Sequence, residues 1–438
     1  MHIISHMNTH NLEHYDSPHQ FEPLLPGETE MGLLLEEASD LTRAAARLGS
    51  GTMSAAKDEL RELLRRMNSY YTNKIEGEHT RPSEIDRALH KDFSDKPDVA
   101  RKQRLAIAHI RAEEVCERAI DERAGDAAAF LYSGEGVEFL HRELFLGLPA
   151  DDLKLPDGTP MIPGALRTRQ VAVGAHEAPW HEALPRFTER WAQVYGGVRR
   201  GEASIVAAAA SHHRLAWMHP FPDGNGRVCR LHTHLLLHSM GLTGGLWSPL
   251  RGFARSEAEY RKRLHDADEH RRGDLDGRGN LSQAGLVNWI TYTIDVCVDQ
   301  VQFMGRMLDI QGMKDRIAAA LTFEEQTLRN GIRVEALRPL HYLFAAETEL
   351  GRADFKAMTG LGDRVATDTI AALLREGLLA TDSPYGKLRF AIPARTLRFY
   401  FPALWPEAEQ DANVVAAERR SERPAAAAPR PRRRQPKP

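Results

Sequence analysis

His219-Pro-Phe-Pro-Asp-Gly-Asn-Gly-Arg-Val-Cys-Arg230 decides how the rest of this 438-residue chain is read. Pro222, Asp223, Gly224, Asn225 and Gly226 are turn formers, and the two glycines free the backbone to turn its N–H groups inward. A concave run of N–H groups at the start of a helix binds anions, phosphate oxygens above all. Arg227 and Arg230 lie three apart on the helix that follows, so they share a face over that site. Two guanidiniums suit a polyphosphate better than a single carboxylate does. Asp223 adds a carboxylate of the kind Mg²⁺ takes together with phosphate oxygens and water. His219 is the one group here that can accept a proton near neutral pH. Taken alone, Pro-Asp-Gly-Asn-Gly would serve as an ordinary surface loop ahead of a helix. An anion cradle, a metal carboxylate and a base within one short segment read instead as phosphate-centred group transfer.

The segment resembles, with no mismatch, the signature of Fic-domain proteins, His-x-Phe-x-[Asp/Glu]-Gly-Asn-Gly-Arg-x-x-Arg. The resemblance implies a mainly α fold, a helical core with a β-hairpin flap. It also implies a protein adenylyltransferase, which moves AMP from ATP to a Ser, Thr or Tyr hydroxyl of a target protein or of itself. By that resemblance His219 is the base that deprotonates the attacking hydroxyl. Asp223 holds Mg²⁺, or Mn²⁺ in its place. Gly224, Asn225 and Gly226 cradle the phosphates, Asn225 through its side-chain amide. Arg227 steadies the β-phosphate and Arg230 the γ-phosphate, and Phe221 is a buried wedge counted with the nucleotide-binding residues. Such chemistry asks a protein mainly for positioning and charge stabilisation.

Ahead of the signature, Ser69-Tyr-Tyr-Thr-Asn-Lys-Ile-Glu-Gly-Glu-His-Thr80 places Thr72 and Glu76 one helical turn apart, with Gly77 as a C-terminal cap. A glutamate at the C-terminal end of a helix faces the wrong pole of the dipole, which hints at a cationic partner elsewhere. A solvated helix end is the other reading. Thr72-x-x-x-Glu76-Gly77 resembles the inhibitory helix of Fic proteins, set at about 65–77. The resemblance implies that Glu76 pairs with Arg230 and takes the γ-phosphate seat. The same glutamate could position a water for removing AMP.

Between these stretches, Asp157-Gly158 signals a hairpin turn. Val171 and Val173 alternate as in a strand. By resemblance Arg167, Thr168, Arg169, Gln170, Val171, Ala172 and Val173 form the flap that pairs with the target's backbone. Phe253, Tyr260 and Leu264 resemble the helix lining the adenine pocket, with Tyr260 a nucleotide contact. Arg261 stands where the family often has a second tyrosine. His212 and His213 read as structural.

The remaining chain frames this centre. Residues 1–27 are predicted to be a flexible arm. His2, His6, His10, His14 and His19 recur there at near-helical spacing, but without a helix-forming core the arm reads as a mobile polar terminus rather than a metal site. Residues 28–125 are predicted as an N-terminal helical region, with stripes at Leu33, Leu34 and Leu41 and at Leu60, Leu63, Leu64 and Met67. The catalytic core spans 126–300, including one helix over Ala127–Leu146. A helical stretch over Leu286–Arg329 closes this core, and 301–334 connect it onward. Residues 335–405 read helix, turn, helix and hairpin, and resemble a winged-helix module. Mixed charge on its second helix (Asp368 and Glu376 beside Arg364 and Arg375) favours packing or target docking over DNA. The stretch 406–438, rich in Ala, Pro and Arg, reads as a disordered basic tail.

Composition is that of a soluble globular protein, 42% hydrophobic and 27% charged with a formal net charge of −3. Cys116, Cys229 and Cys297 are few and widely spaced, which predicts no disulfide framework and a reducing, cytoplasmic setting. No stretch has the pattern of a signal peptide or a membrane span. The expected partners are ATP and a protein acceptor, with a homodimer left open and no membrane. Two rivals to AMP transfer remain: transfer of another phosphate-linked group, and a DNA-binding regulator that only senses nucleotide.

Overall fold

The computed structural model describes residues 15–404 apart from 52–53, 174–175, 199–200, 347–348 and 403. The first histidines of the arm and the basic tail lie outside the described residues. The fold is mainly α, as the sequence predicts. Helices α1 (Glu28–Gly51), α2 (Ser54–Ile75), α3 (Pro82–Leu89) and α4 (Pro97–Arg123) come first. Next are α5 (Ala127–Leu131), α6 (Gly134–Phe145) and the strand pair β1 (Ala172–Val173) and β2 (His176–Glu177). The centre is built by α7 (Leu184–Gly197), α8 (Glu202–Met218), α9 (Asn225–Ser239), α10 (Leu250–Arg255), α11 (Glu257–Asp268) and α12 (Gln283–Met307).

Helix α8 is the axis. From Ile205 to Met218 every residue but Ala216 is buried. A helix buried all round belongs in the middle of a protein. Its run of alanines lets α1, α9 and α12 pack directly against it. The buried Ser211, His212, His213 and Arg214 of this helix are partnered, whereas Trp217 Nε1 is not. His212 Nδ1 meets Thr233 Oγ1 at 2.7 Å, His213 Nε2 lies 3.0 Å from the Leu264 carbonyl, and Arg214 donates to the Pro23 carbonyl. Those pairings are what make a buried polar cluster tolerable. Helix α4 closes the other side, against α2, α6 and α9.

Several expectations change. Residues 15–26, read as part of a mobile arm, are fastened to the core. Phe21 and Leu24 are buried. Tyr195 Oη donates to the Leu24 carbonyl at 2.6 Å, and Arg190 pairs with Glu22 at 2.7 Å. These buried side chains, with hydrogen bonds to the carbonyls of Tyr15, Glu22, Pro23 and Leu24, outweigh the local lack of helix propensity. Leu33 is exposed, and the stripe of α1 is instead Leu34, Ala38, Leu41, Ala45 and Leu48. The single helix expected over Ala127–Leu146 breaks at Tyr132–Ser133, because Ser133 Oγ accepts from Gly136 N and starts α6 afresh. The Leu286–Arg329 stretch breaks in the same way. Asp309 caps α13 (Ile310–Phe323) through Gly312 N at 2.7 Å. One apolar core runs from Tyr15 to Leu404 and takes in the N-terminal helices.

The C-terminal part follows the predicted order: α14 (Leu337–Ala345), α15 (Arg352–Thr359), α16 (Asp363–Arg375), then strands β3 (Leu379–Ala380) and β4 (Arg389–Phe390), and a short α17 (Leu397–Tyr400). The strands pair antiparallel, Leu379 with Phe390 and Ala380 with Arg389. Lys356, Arg375, Arg389 and Arg395 each face a carboxylate. Tyr71 Oη donates to the Leu404 carbonyl at 2.7 Å, tying this part to α2. Among the described residues no helix is long and apolar enough to cross a membrane. The three cysteines are buried and unpaired.

Candidate active site

The loop between α8 and α9 is shaped from within. His219 ends α8 in the left-handed region (φ 47°). Asn225 then folds back: its Oδ1 accepts from Phe221 N at 2.9 Å and its Nδ2 donates to the Phe221 carbonyl at 2.8 Å. The amide closes the loop with one of its two N–H groups, and Asn225 also lines the cavity where the sequence expects phosphates. Phe221 is fully buried and stacks on His141 at 4.0 Å between centroids. It is a wedge, as expected, but it does not line the cavity and has no access to a nucleotide. Its burial contributes about 1.5–3 kcal/mol to holding the loop. Gly224 (φ +80°) lies against Phe145, whose ring a Cβ would meet at 2.5 Å.

Arg167 gives a second correction. Expected on the target-docking flap, it is buried beneath the loop. Its Nε donates to the His219 carbonyl at 2.8 Å, and its other nitrogens reach the carbonyls of Arg169, Pro179 and Met218. It braces the loop from below, and burial pushes its pKa down to about 10. Thr168, Arg169, Gln170 and Ala172 are exposed and Val171 half-buried, while Val173 pairs with His176 across the two-residue β1–β2 ladder. The Asp157–Gly158 turn is separate from this hairpin. Together the turn, residues 165–171 and Pro222 border a groove of about 650 Å³ beside the active loop.

A cavity of about 300 Å³ lies above the loop. His219, Asp223, Gly224, Asn225, Gly226, Arg230, Tyr260 and Glu76 all line it. Burial, then His176 and Arg167, push the His219 imidazole down to about 4, so it is neutral near pH 7 and free to accept a proton. The Asp223 side chain is 55% exposed. Its Oδ1 accepts from Gly224 N at 2.6 Å and its Oδ2 from Arg227 at 3.3 Å. Each oxygen keeps a further lone pair, and a half-solvated carboxylate lining the cavity fits Mg²⁺. Arg227 also stacks on Phe145.

Helix α2 delivers Glu76 to the opposite wall. Its end is a Schellman cap, with Glu78 N donating to the Asn73 carbonyl and Gly77 N to that of Lys74. Arg230 is buried and grips this end: Nε donates to Thr72 Oγ1 at 2.7 Å, and one terminal nitrogen to Glu76 Oε1 at 2.6 Å and to the Thr72 carbonyl at 3.2 Å. Arg261 donates to the Ile75 carbonyl. The residue standing where the family often has tyrosine thus braces the last turn of α2, a role visible only in three dimensions. Burial alone would raise the Glu76 pKa, but Arg230 and Arg227 outweigh it and hold the carboxyl below its ordinary value. The carboxylate sits at the first turn of α9, so close to Gly226 that a Cβ there would collide with it. It occupies the anion site that the sequence assigned to phosphate.

Tyr260 is buried, and its hydroxyl meets His212 Nε2 at 3.0 Å and Arg230 at 3.5 Å. That ties it to the guanidinium as much as to any base above it. Sequence reading missed His176 and Asp268, which also line the cavity. Asp268 follows Tyr260 and Leu264 at helical spacing on α11, a signal available in the sequence. His176 arrives only through the β1–β2 turn.

A family model described as Fic/DOC matches residues 132–237. Over that segment, about a quarter of its length, the chain is similar to the Fic/DOC family. Its curated relatives include Protein adenylyltransferase Fic of Drosophila ananassae, 35% identical over 83 residues, which are 19% of this chain and 17% of that protein. Protein adenylyltransferase fic-1 of Caenorhabditis briggsae is 31% identical over 116 residues, 26% of this chain and 22% of that protein. The chain thus spans about a fifth of the length of these relatives. Among solved structures, a Fic family protein from Desulfovibrio desulfuricans aligns over 86% of this chain and 99% of its own, at 15% identity and TM-score 0.45. Fic-1 from C. elegans aligns over 62% and 71%, at 17% identity and TM-score 0.44. The Fic segment holds α6 through most of α9; α2, which carries Glu76, lies outside it.

Proposed function

We propose that the chain is an ATP-dependent protein adenylyltransferase whose resting state is held off by Glu76. The observation that carries this reading is the single cavity onto which His219, Asp223, the Gly224–Gly226 turn and Arg230 all open. The neutral imidazole of His219 takes the proton of an acceptor Ser, Thr or Tyr hydroxyl. That oxygen bonds to the α-phosphorus of ATP, the bond from α-phosphorus to the bridging oxygen breaks, and pyrophosphate leaves. The N–H groups at the start of α9 and the two guanidiniums stabilise charge on the phosphates. Asp223 would hold Mg²⁺, which neutralises phosphate charge when bound. The groove along residues 165–171 suits an extended acceptor segment, since strand pairing fixes backbone while demanding little of sequence. Glu76 takes the Arg230 contact that a γ-phosphate would need.

ATP labelled at the α- or at the γ-phosphate tests the reading, with the Glu76→Gly protein and its own hydroxyls as acceptor. Protein-bound label from the α position alone is the expected result. Label from γ means phosphotransfer. Label from neither means that the cavity is not catalytic. Lys356, Arg375, Arg389 and Arg395 are each paired with a carboxylate, which counts against a phosphate-binding face and ranks the regulator reading second.

A further inference from the structure

Away from the cavity, the interface of α4 and α9 buries a polar cluster that the chemistry above does not use. His109, Glu113 and Glu117 follow one another at single-turn spacing on α4. His234 faces them from α9, one turn beyond Arg230. All four are buried, none more than 4% exposed. His234 Nε2 lies 3.1 Å from Glu117 Oε1 and 3.6 Å from Glu113 Oε1. One donor atom from each of these three falls within 4.8 Å of the others. His109 points its Nδ1 at Glu113 Oε2, 3.7 Å away. Neither ring nitrogen of His109 has a hydrogen-bond partner, and neither does Glu113 Oε2. Polar atoms buried in that state are costly unless something satisfies them.

The charges around the cluster are unequal. Arg65 donates twice to Glu117 Oε2, at 2.7 and 3.1 Å. Glu113 receives only the neutral Asn68 amide, at 2.7 Å on Oε1. Its ion-pair partners among the described residues are the imidazoles of His109 and His234. Two adjacent carboxylates share one guanidinium, so burial and Glu117 raise the Glu113 carboxyl well above its ordinary value, and a bound cation would take the place of its proton. The donor set is two carboxylates and an imidazole, with a second imidazole beside them. Donors about 2.0–2.2 Å from one tetrahedral ion lie roughly 3.3–3.6 Å apart, close to the two separations from His234 here. Mixed nitrogen and oxygen donors select a borderline first-row ion over Mg²⁺ or Ca²⁺. Arg65 and Asn68 hold the carboxylates from outside, as second partners of metal ligands do.

We propose that Glu113, Glu117 and His234, bordered by His109, bind one divalent cation of the Zn²⁺ type. The ion joins α4 to α9 one turn from Arg230 and so fixes the helix that carries the catalytic guanidinium. It is structural, distinct from the exposed Asp223, and does not depend on which group the cavity transfers. Enclosed as it is, the ion enters during folding and exchanges slowly.

The experiment uses the full chain carrying Asp223→Asn, which removes the half-exposed carboxylate proposed to hold Mg²⁺. The protein is refolded with Zn²⁺ or Co²⁺, dialysed, and its metal content measured, with X-ray absorption on the retained ion. One ion per chain, with imidazole scattering and a raised melting temperature over the metal-free protein, is the expected result. Glu117→Gln, nearly the same shape, should lose the ion. No retained ion, a coordination shell of oxygen alone, or undiminished retention in Glu117→Gln would each overturn the site. The absorption spectrum decides even if the glutamine variant does not fold.

Discussion

The two walls of the cavity are built from the same chemistry and left in opposite states. On one wall Arg230 is buried and satisfied by Thr72, Glu76 and Tyr260. On the other, His219 is neutral and Asp223 half solvated, both open to what enters. A charged hydrogen bond is among the stronger single contacts a protein makes. A carboxylate from α2 in the anion seat therefore competes directly with a phosphate, while the catalytic wall needs no rearrangement. Under the proposed function, inhibition is a matter of occupancy at one wall, the contact of Glu76 with Arg230, and not of a broken catalytic loop.

That contrast can be broken most sharply on the open wall. His219→Ala in a Glu76→Gly background should cut AMP transfer by about 10²–10⁴, the usual value of a general base. A residual rate close to that of the parent, in a labelled-ATP assay, would remove His219 from the chemistry. On the closed wall, Glu76→Gly alone should raise transfer on the order of tenfold, the equivalent of one charged hydrogen bond of about 1.5 kcal/mol. The rate of self-modification reads this directly, and no increase would mean that Glu76 does not hold the seat. Arg261→Ala releases the last turn of α2 without touching Glu76. A rise of roughly twofold is expected, the scale of one helix-end contact of about 0.5 kcal/mol. If the rise equalled that of Glu76→Gly, the brace rather than the carboxylate would be the lock.

The smallest effect is in pH. The His219 pKa is pushed from 6.5 to about 4, chiefly by burial. In the Glu76→Gly protein kcat/KM should stay level from roughly pH 8 to pH 5, because this ratio reports the free enzyme's base. An inflection near the ordinary imidazole value would show a solvated ring. The sign for stability follows from the same depression. Between 6.5 and about 4 the unfolded chain takes up a proton that the folded one refuses, so stability is full above 6.5 and falls as pH drops through that window.

Much of this was legible in the sequence because turn chemistry and helical period are local. The loop from Pro222 to Gly226, the pairing of Arg227 with Arg230 on one helix, and the Thr72–Glu76 turn need only near neighbours to be read. The breaks at Ser133 and Asp309 were missed although their signal is equally local, since an uninterrupted apolar pattern outweighed single capping residues. Arg167 misled for another reason. The family resemblance puts it on the target-docking flap, and nothing near it in sequence announces the carbonyls of Pro179 and Met218 that it holds.

By itself the sequence determined a helical protein, the anion-binding turn at the head of α9, and the identity of the acid, base and cationic groups around it. The tertiary structure alone decided which of those groups are free to act. It turned the Asn225 amide back on Phe221, sank Arg167 under the loop, and carried Glu76 across 154 positions to Arg230. Side-chain periodicity specifies a helix from within, whereas occupancy of a charged seat depends on which distant helix end the packed core brings to it.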